Sequence, residues 1–192
     1  MSLSAEAIMQ TIYVITTGGT IEKEYSVQVC MVVNHSRRIG PYMRRLCLPD
    51  CRVELVPLMN KDSLEMTDED RASIVAEVAK LLPYRCPIVI THGTDTMVES
   101  GMKIERTFPN LSVPVILTGA MKPLGFDSSD GLQNLTESLF AARILGAGVH
   151  VVFHGQVFPV AQARKDKAKG TFVRTQLDQD LARSVGDRDG AD

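Results

Sequence analysis

Apolar residues recur along this chain in two alternating patterns: short β-branched runs that suit buried strands, and stripes at three- and four-residue spacing that suit helices. Thr11 to Thr16 (TIYVIT), Arg52 to Leu58, Pro87 to Thr91, Val113 to Thr118 and Val149 to Phe153 are the strand runs. Ile39, Tyr42, Met43, Leu46 and Cys47 make a first helical stripe, with Arg37, Arg38, Arg44 and Arg45 on its solvent side. Ile74, Val75, Val78, Leu81 and Leu82 make a second, opened by Thr67 and Asp70 at capping-box spacing. Met97, Val98, Met102 and Ile104 follow a third start at Thr96 and Glu99. Leu132, Leu135, Leu139 and Phe140 follow a fourth, where Asp130 is read as the cap with Gln133 at its third position.

Strands alternating with helices predict an α/β fold: a doubly wound, mostly parallel sheet with helices on both faces and right-handed crossovers. Glu22 to Ser36 carries no period and reads as a long loop that covers the site as a lid. Residues 1–10 read as a leader, with Met9 an alternative start; residues 11–174 are the folded domain, and the polar residues 175–192 a disordered tail.

Composition narrows the classes. The chain has 192 residues, 44% apolar and 23% charged, with a formal net charge of -2, so the basic excess of a nucleic-acid binder is missing. No apolar run reaches the ~18 residues that span a bilayer, and the N-terminus lacks a secretory pattern. Cys30, Cys47, Cys51 and Cys86 form no C-x-x-C pair and have no histidine at zinc spacing, which predicts reduced thiols and a cytoplasmic protein. His150 and His154 read as core or edge histidines, and neither a metal nor a cofactor is expected.

Parallel strands deliver their following loops to one edge of a sheet. That edge should gather Thr17 from TTGGTIE, Ser63 from MNKDSLEM, Gly93, Thr94 and Asp95 from THGTDT, and the backbone of Ala120 from GAMKP. The glycine pair Gly18-Gly19 fits neither the dinucleotide nor the P-loop pattern, so no nucleotide site is read there. Thr94, Asp95 and Thr96 would also serve as a plain helix cap. A threonine hydroxyl needs a base to attack a carbonyl, and a lysine can be that base once burial or a partner prepares it. Asp95 could orient such a lysine, and the amides near Gly93 and Thr94 could stabilise an oxyanion.

The ordered motifs TTGGTIE, ITHGTDTMVE and LTGAMKPLGFDSSDGLQNL resemble the successive signatures of bacterial-type L-asparaginases and their glutaminase relatives, over Thr11 to Phe172. The resemblance implies Thr17 as nucleophile and a relay of Thr94, Asp95 and Lys165. It implies Tyr25 as a lid tyrosine that polarises Thr17, Ser63 as a ligand of the substrate's α-carboxylate, and the Ala120 carbonyl as the acceptor of the scissile amide nitrogen. Leu64 departs from the family, which commonly has glutamine there. The resemblance covers the N-terminal domain alone and implies a homodimer or higher homo-oligomer acting on a small amide, with no nucleic-acid or membrane partner. Two other readings are a small-ligand binding or regulatory protein and an amidotransferase-partner domain.

Overall fold

A computed structural model describes residues 9–34 and 39–175. The leader apart from its last two residues, the arginines 37 and 38, and the tail beyond Thr175 lie outside the described residues.

Six strands form the central sheet, in the order β4-β1-β5-β6-β7-β8. They are β1 (Gln10–Gly18), β4 (Cys51–Lys61), β5 (Ile88–Thr91), β6 (Pro114–Thr118), β7 (Gly148–Phe153) and β8 (Gln156–Pro159). The first five in spatial order run parallel and β8 returns antiparallel to β7. Every expected strand is present, with ends that move by at most three residues. β8 is an addition: its four residues, QVFP, follow the Gly155 turn too closely to stand out in the hydrophobic pattern.

Side chains alternate across the sheet, and two cores result. Ile15, Ile88, Ile90, Val115 and Leu117 face one side, where α2 (Asp68–Leu81) and α3 (Met97–Thr107) bury Ile74, Val78, Leu81, Met97 and Ile104. Ile12, Val14, Val89 and Ile116 face the other, against α1 (Ile39–Met43) and α4 (Gly131–Ile144). Helices therefore cover both faces. The strand order reverses between β1 and β5, since the chain leaves β1 for β4 and then crosses to β5, and this switch point leaves a crevice beyond their carboxyl ends.

Several expectations change. The Glu22–Ser36 segment is not a shapeless loop: β2 (Lys23–Ser26) and β3 (Met31–Asn34) pair antiparallel as a hairpin, which hides from a periodicity argument because Tyr25, Met31 and Val32 on it are all exposed. The helix beginning at Ile39 closes after Met43, as Arg45 and Leu46 bond back three residues to Tyr42 and Met43, and Cys47 is exposed. Phe140 is 61% exposed, because Leu135, Leu139 and Ala142 already fill the inner stripe of α4.

Two helix starts also differ. The Thr67–Asp70 capping box before α2 forms as expected. Thr96 and Asp130, by contrast, make no side-chain cap; both side chains are drawn away by tertiary partners described below. Past the sheet, β9 (Ala163–Asp166) and β10 (Thr171–Arg174) form a second hairpin, anchored in the core by Ala163 and Phe172.

Candidate active site

The loops beyond β1, β4, β5 and β6 meet at the crevice, and three of them pack too closely for side chains. Gly19, at φ 79°, lies where an added Cβ would stand 2.5 Å from the Gly93 backbone. A Cβ on Gly93 would in turn stand 2.5 Å from the Cβ and Oγ of Ser63. Only glycine allows this approach. The glycines of TTGGT and THGT are thereby explained by each other: they let the Thr17, Ser63 and Thr94 loops share one small volume.

Thr17 sits at the irregularity where the β1–β4 register shifts between Thr16 and Gly18. It is fully buried, and its hydroxyl donates to the Thr91 carbonyl at 2.8 Å. His92, also fully buried, fixes the next turn. A carbonyl can only accept, so Nδ1 carries the proton and donates to the Gly93 carbonyl at 2.8 Å, while Nε2 accepts from Ser100 at 2.8 Å. Burial lowers the His92 pKa to about 4, which keeps the ring neutral at physiological pH.

The main cluster follows on that turn. Lys165 Nζ donates to Thr94 Oγ1 at 2.7 Å and to Asp95 Oδ1 at 3.0 Å. Thr94 is 4% exposed, and the side chains of Lys165 and Asp95 are 17% and 27% exposed, so the contacts are largely shielded from water. Lys165 arrives from β9, 71 residues from Thr94 in sequence. Thr94 Oγ1 also donates weakly to Met121 Sδ at 3.8 Å, which ties the cluster to the loop after β6. A hydroxyl held by a lysine that is itself held by a carboxylate can pass a proton along the line.

The remaining predicted residues differ in burial and contacts. Ser63 is buried with its Oγ unpartnered among the described residues, and its carbonyl accepts the Thr96 hydroxyl at 2.9 Å, the bond that takes Thr96 from its cap. Ala120 is buried in the turn after β6. Tyr25 stands on β2 opposite Val32, 51% exposed, and among the described residues its hydroxyl makes no hydrogen bond to Thr17. Leu64 is 70% exposed, its amide donating to Asp62 Oδ1 at 3.1 Å. No group of residues able to hold a metal ion occurs among the described residues.

Other contributors escaped sequence reasoning. Lys23 Nζ pairs with Asp62 at 2.6 Å and so ties the first hairpin to the Ser63 loop. Asp62 is held below the ordinary carboxylate range, first by that lysine and then by the Leu64 amide. Glu22 is 1% exposed, and burial raises its pKa to about 7 against a weak opposing hydrogen bond from the Gly18 backbone. It borders a cavity of about 460 Å³ walled by Thr16, Ile39, Arg44 and Leu55, separate from the Thr94 cluster. An acidic residue three positions beyond a glycine turn gives no sign in sequence of such burial.

Residues 11–183 match the family model described as asparaginase, N-terminal. L-asparaginase 1 of Escherichia coli is 38% identical over 138 residues, 69% of this chain and 40% of that protein. The L-asparaginase of Thermococcus kodakarensis is 29% identical over 178 residues, 91% of this chain and 53% of that protein. The solved structure of the thermostable L-asparaginase from Thermococcus kodakarensis superposes with a TM-score of 0.78 at 26% identity, over 88% of this chain and 52% of that one. The chain thus spans about half the length of the relatives it matches.

Proposed function

The chain belongs to the asparaginase family, and from that premise we propose that it hydrolyses the side-chain amide of asparagine or a similar small amide to the acid and ammonia. The observation that carries this reading is Lys165 Nζ set between Thr94 Oγ1 and Asp95 Oδ1 at 2.7 and 3.0 Å.

Chemistry follows from the two threonines. Thr17 Oγ1 attacks the amide carbonyl carbon and forms a tetrahedral intermediate, whose oxyanion is met by the backbone N–H groups near Gly93 and Thr94 in the turn before α3. The Thr91 carbonyl that now accepts the Thr17 proton orients the hydroxyl but cannot remove the proton, so a base is required. The Thr94–Lys165 pair takes the Thr17 proton and passes it to the amide nitrogen; collapse then breaks the C–N bond, ammonia leaves, and Thr17 carries the acyl ester. In the second half, water attacks the ester, its proton passes to the Thr94–Lys165 pair and on to the Thr17 oxygen as the acyl C–O bond breaks, and the acid is released. Lys165 must be unprotonated to accept; Asp95 keeps it in register and stabilises it once charged. Ser63 and the Ala120 carbonyl hold the two ends of the substrate, and Tyr25 on its hairpin closes over Thr17.

A second reading, a protein that binds a small ligand without efficient turnover, draws on Leu64: an exposed leucine offers no hydrogen bond to the charged end of an amino acid. Ammonia release from asparagine, glutamine and peptide-linked amides separates the two. Binding without release would leave the binder. Self-association belongs to the same proposal, since Val27, Val29 and Met31 on the first hairpin are 74, 56 and 64% exposed, an apolar edge that a second copy would cover. Sedimentation at micromolar concentration should show a dimer or larger. For the compartment we propose the cytoplasm, on the four unpaired cysteines; no helix among the described residues is long and apolar enough to cross a membrane.

A further inference from the structure

Asp130 stands at the start of α4 yet serves the turn after β6. Its Oδ1 accepts the Met121 and Lys122 amides at 3.0 and 2.9 Å, and its Oδ2 accepts His154 Nε2 at 2.9 Å and Asn134 Nδ2 at 3.0 Å. Asn134 is fully buried; Nδ2 also donates to the Gly119 carbonyl at 2.9 Å, and Oδ1 accepts the His154 backbone amide at 3.0 Å. His154 has left-handed backbone, φ 48°, in the tight turn between β7 and β8. Its other nitrogen, Nδ1, lies 3.0 Å from Thr171 Oγ1 on β10. Thr171 pairs with Asp166 across the hairpin, and its neighbour Phe172 pairs with Lys165.

Four elements are thereby joined: the turn after β6, α4 with its start, the β7–β8 turn and the β9–β10 hairpin. At one end is the Gly119–Lys122 turn, with the Ala120 carbonyl and with Met121 against Thr94. At the other is the hairpin that carries Lys165. An ionised carboxylate only accepts, so His154 must present a proton from Nε2; in the neutral ring Nδ1 then accepts the Thr171 hydroxyl. Burial opposes charge on Asp130, but the two amides and His154 outweigh it and hold the carboxyl below the ordinary range. A helix cap would use one oxygen once; here both oxygens are engaged by other elements.

We propose that Asp130, Asn134 and His154 are positioning residues, which set the Ala120 turn and the Lys165 hairpin in one register. The inference rests on the amidase reading for its effect on turnover, but the register itself is a property of the fold. Loss of the Thr171 link shifts Lys165 relative to Thr94, and a displacement on the order of 1 Å at a reacting group costs up to about a hundredfold in rate.

The test uses Thr171→Val, which keeps the shape and removes the hydroxyl, with Thr171→Ser as the conservative rescue and His154→Gln as an independent break of the same link. Expected for Thr171→Val are a tenfold to hundredfold loss in kcat, an unchanged KM, and a faster reaction of Lys165 with acetic anhydride, measured by mass spectrometry against Lys167 in the same chain. Thr171→Ser should restore both readouts. Wild-type kcat and wild-type Lys165 labelling in both Thr171→Val and His154→Gln would overturn the proposal. If the unmodified protein releases no ammonia, the amidase reading fails, and the labelling of Lys165 alone decides for or against the network. Should Thr171→Val fail to fold, His154→Gln is read in its place.

Discussion

Replacing Lys165 by methionine removes the ammonium and keeps most of the aliphatic stem, so it separates chemistry from packing. In the structure the ammonium makes two bonds, at 2.7 Å to Thr94 Oγ1 and 3.0 Å to Asp95 Oδ1. A positioned general base supplies about two to four decades in rate, and each decade corresponds to about 1.4 kcal/mol, so kcat should fall by about 3 to 5.5 kcal/mol in barrier terms. The cost in stability is smaller. The pair is partly shielded, but Lys167 Nζ, 3.7 Å from Asp95, remains to offset its charge; the loss should be about 1 to 2 kcal/mol. Ammonia release and substrate affinity are measured in parallel with chemical denaturation. Turnover should collapse while binding holds, because the lysine acts on the transition state more than on the bound substrate. Lys167→Met, whose side chain is 79% exposed, should stay near wild type. A Lys165→Met protein with full activity would refute the assignment of the base, whatever became of the fold.

Leu64→Gln restores a polar side chain beside Ser63 and should tighten apparent affinity for asparagine by about one to two decades, the worth of a hydrogen bond to a charged group; calorimetry showing no gain removes this account of specificity. Gly93→Ala places a methyl 2.5 Å from Ser63 and should cost about 1 to 3 kcal/mol in denaturation. Adding Ser63→Gly should recover much of that loss, since the clash is between these two side chains, and strict additivity would contradict it. Glu22 has its pKa raised to about 7 from 4.5, so the folded state binds its proton more tightly than the unfolded chain. Its stabilising effect is present below about pH 4.5 and is lost as pH rises through about 7, with an upper bound on the order of 3 kcal/mol. The stability difference between wild type and Glu22→Gln, followed from pH 4 to 8, should therefore move in favour of the glutamine; a difference that stays flat would mean that Glu22 is charged or solvated in the folded state. Taking that difference also removes the opposite trend of His92, whose lowered pKa makes stability rise between about pH 4 and 6.5.

What was legible in the sequence was local. The runs at β5 and β6 stood out because residues buried on both faces of a sheet must be apolar throughout, while β4, at the sheet edge, was marked only by its partial alternation; the Thr67–Asp70 capping box formed because both partners lie within one turn of α2. Thr96 and Asp130 carry the same kind of signal and were misread. A side-chain oxygen at a helix start can bond its own helix or a distant backbone group, and here Ser63, Met121 and Lys122 lie close enough to compete. Sequence spacing holds no information on that competition. The first hairpin was missed for a related reason, since strands without a core against them need no hydrophobic alternation.

The alternation of strands and helices, the glycine turns, and the threonines, aspartate and lysine on which an amidase reading depends can all be read along the chain. Which of these meet depends on the packed fold. The reversal of strand order between β1 and β5 opened the crevice, and the β9–β10 hairpin brought Lys165 to within 2.7 Å of a residue 71 positions earlier. Asp130, Asn134 and His154 joined the two sides through bonds between residues up to 24 positions apart. Periodicity and capping act over a few residues. The relative placement of loops follows from how the two faces of the sheet pack, a property of the whole chain.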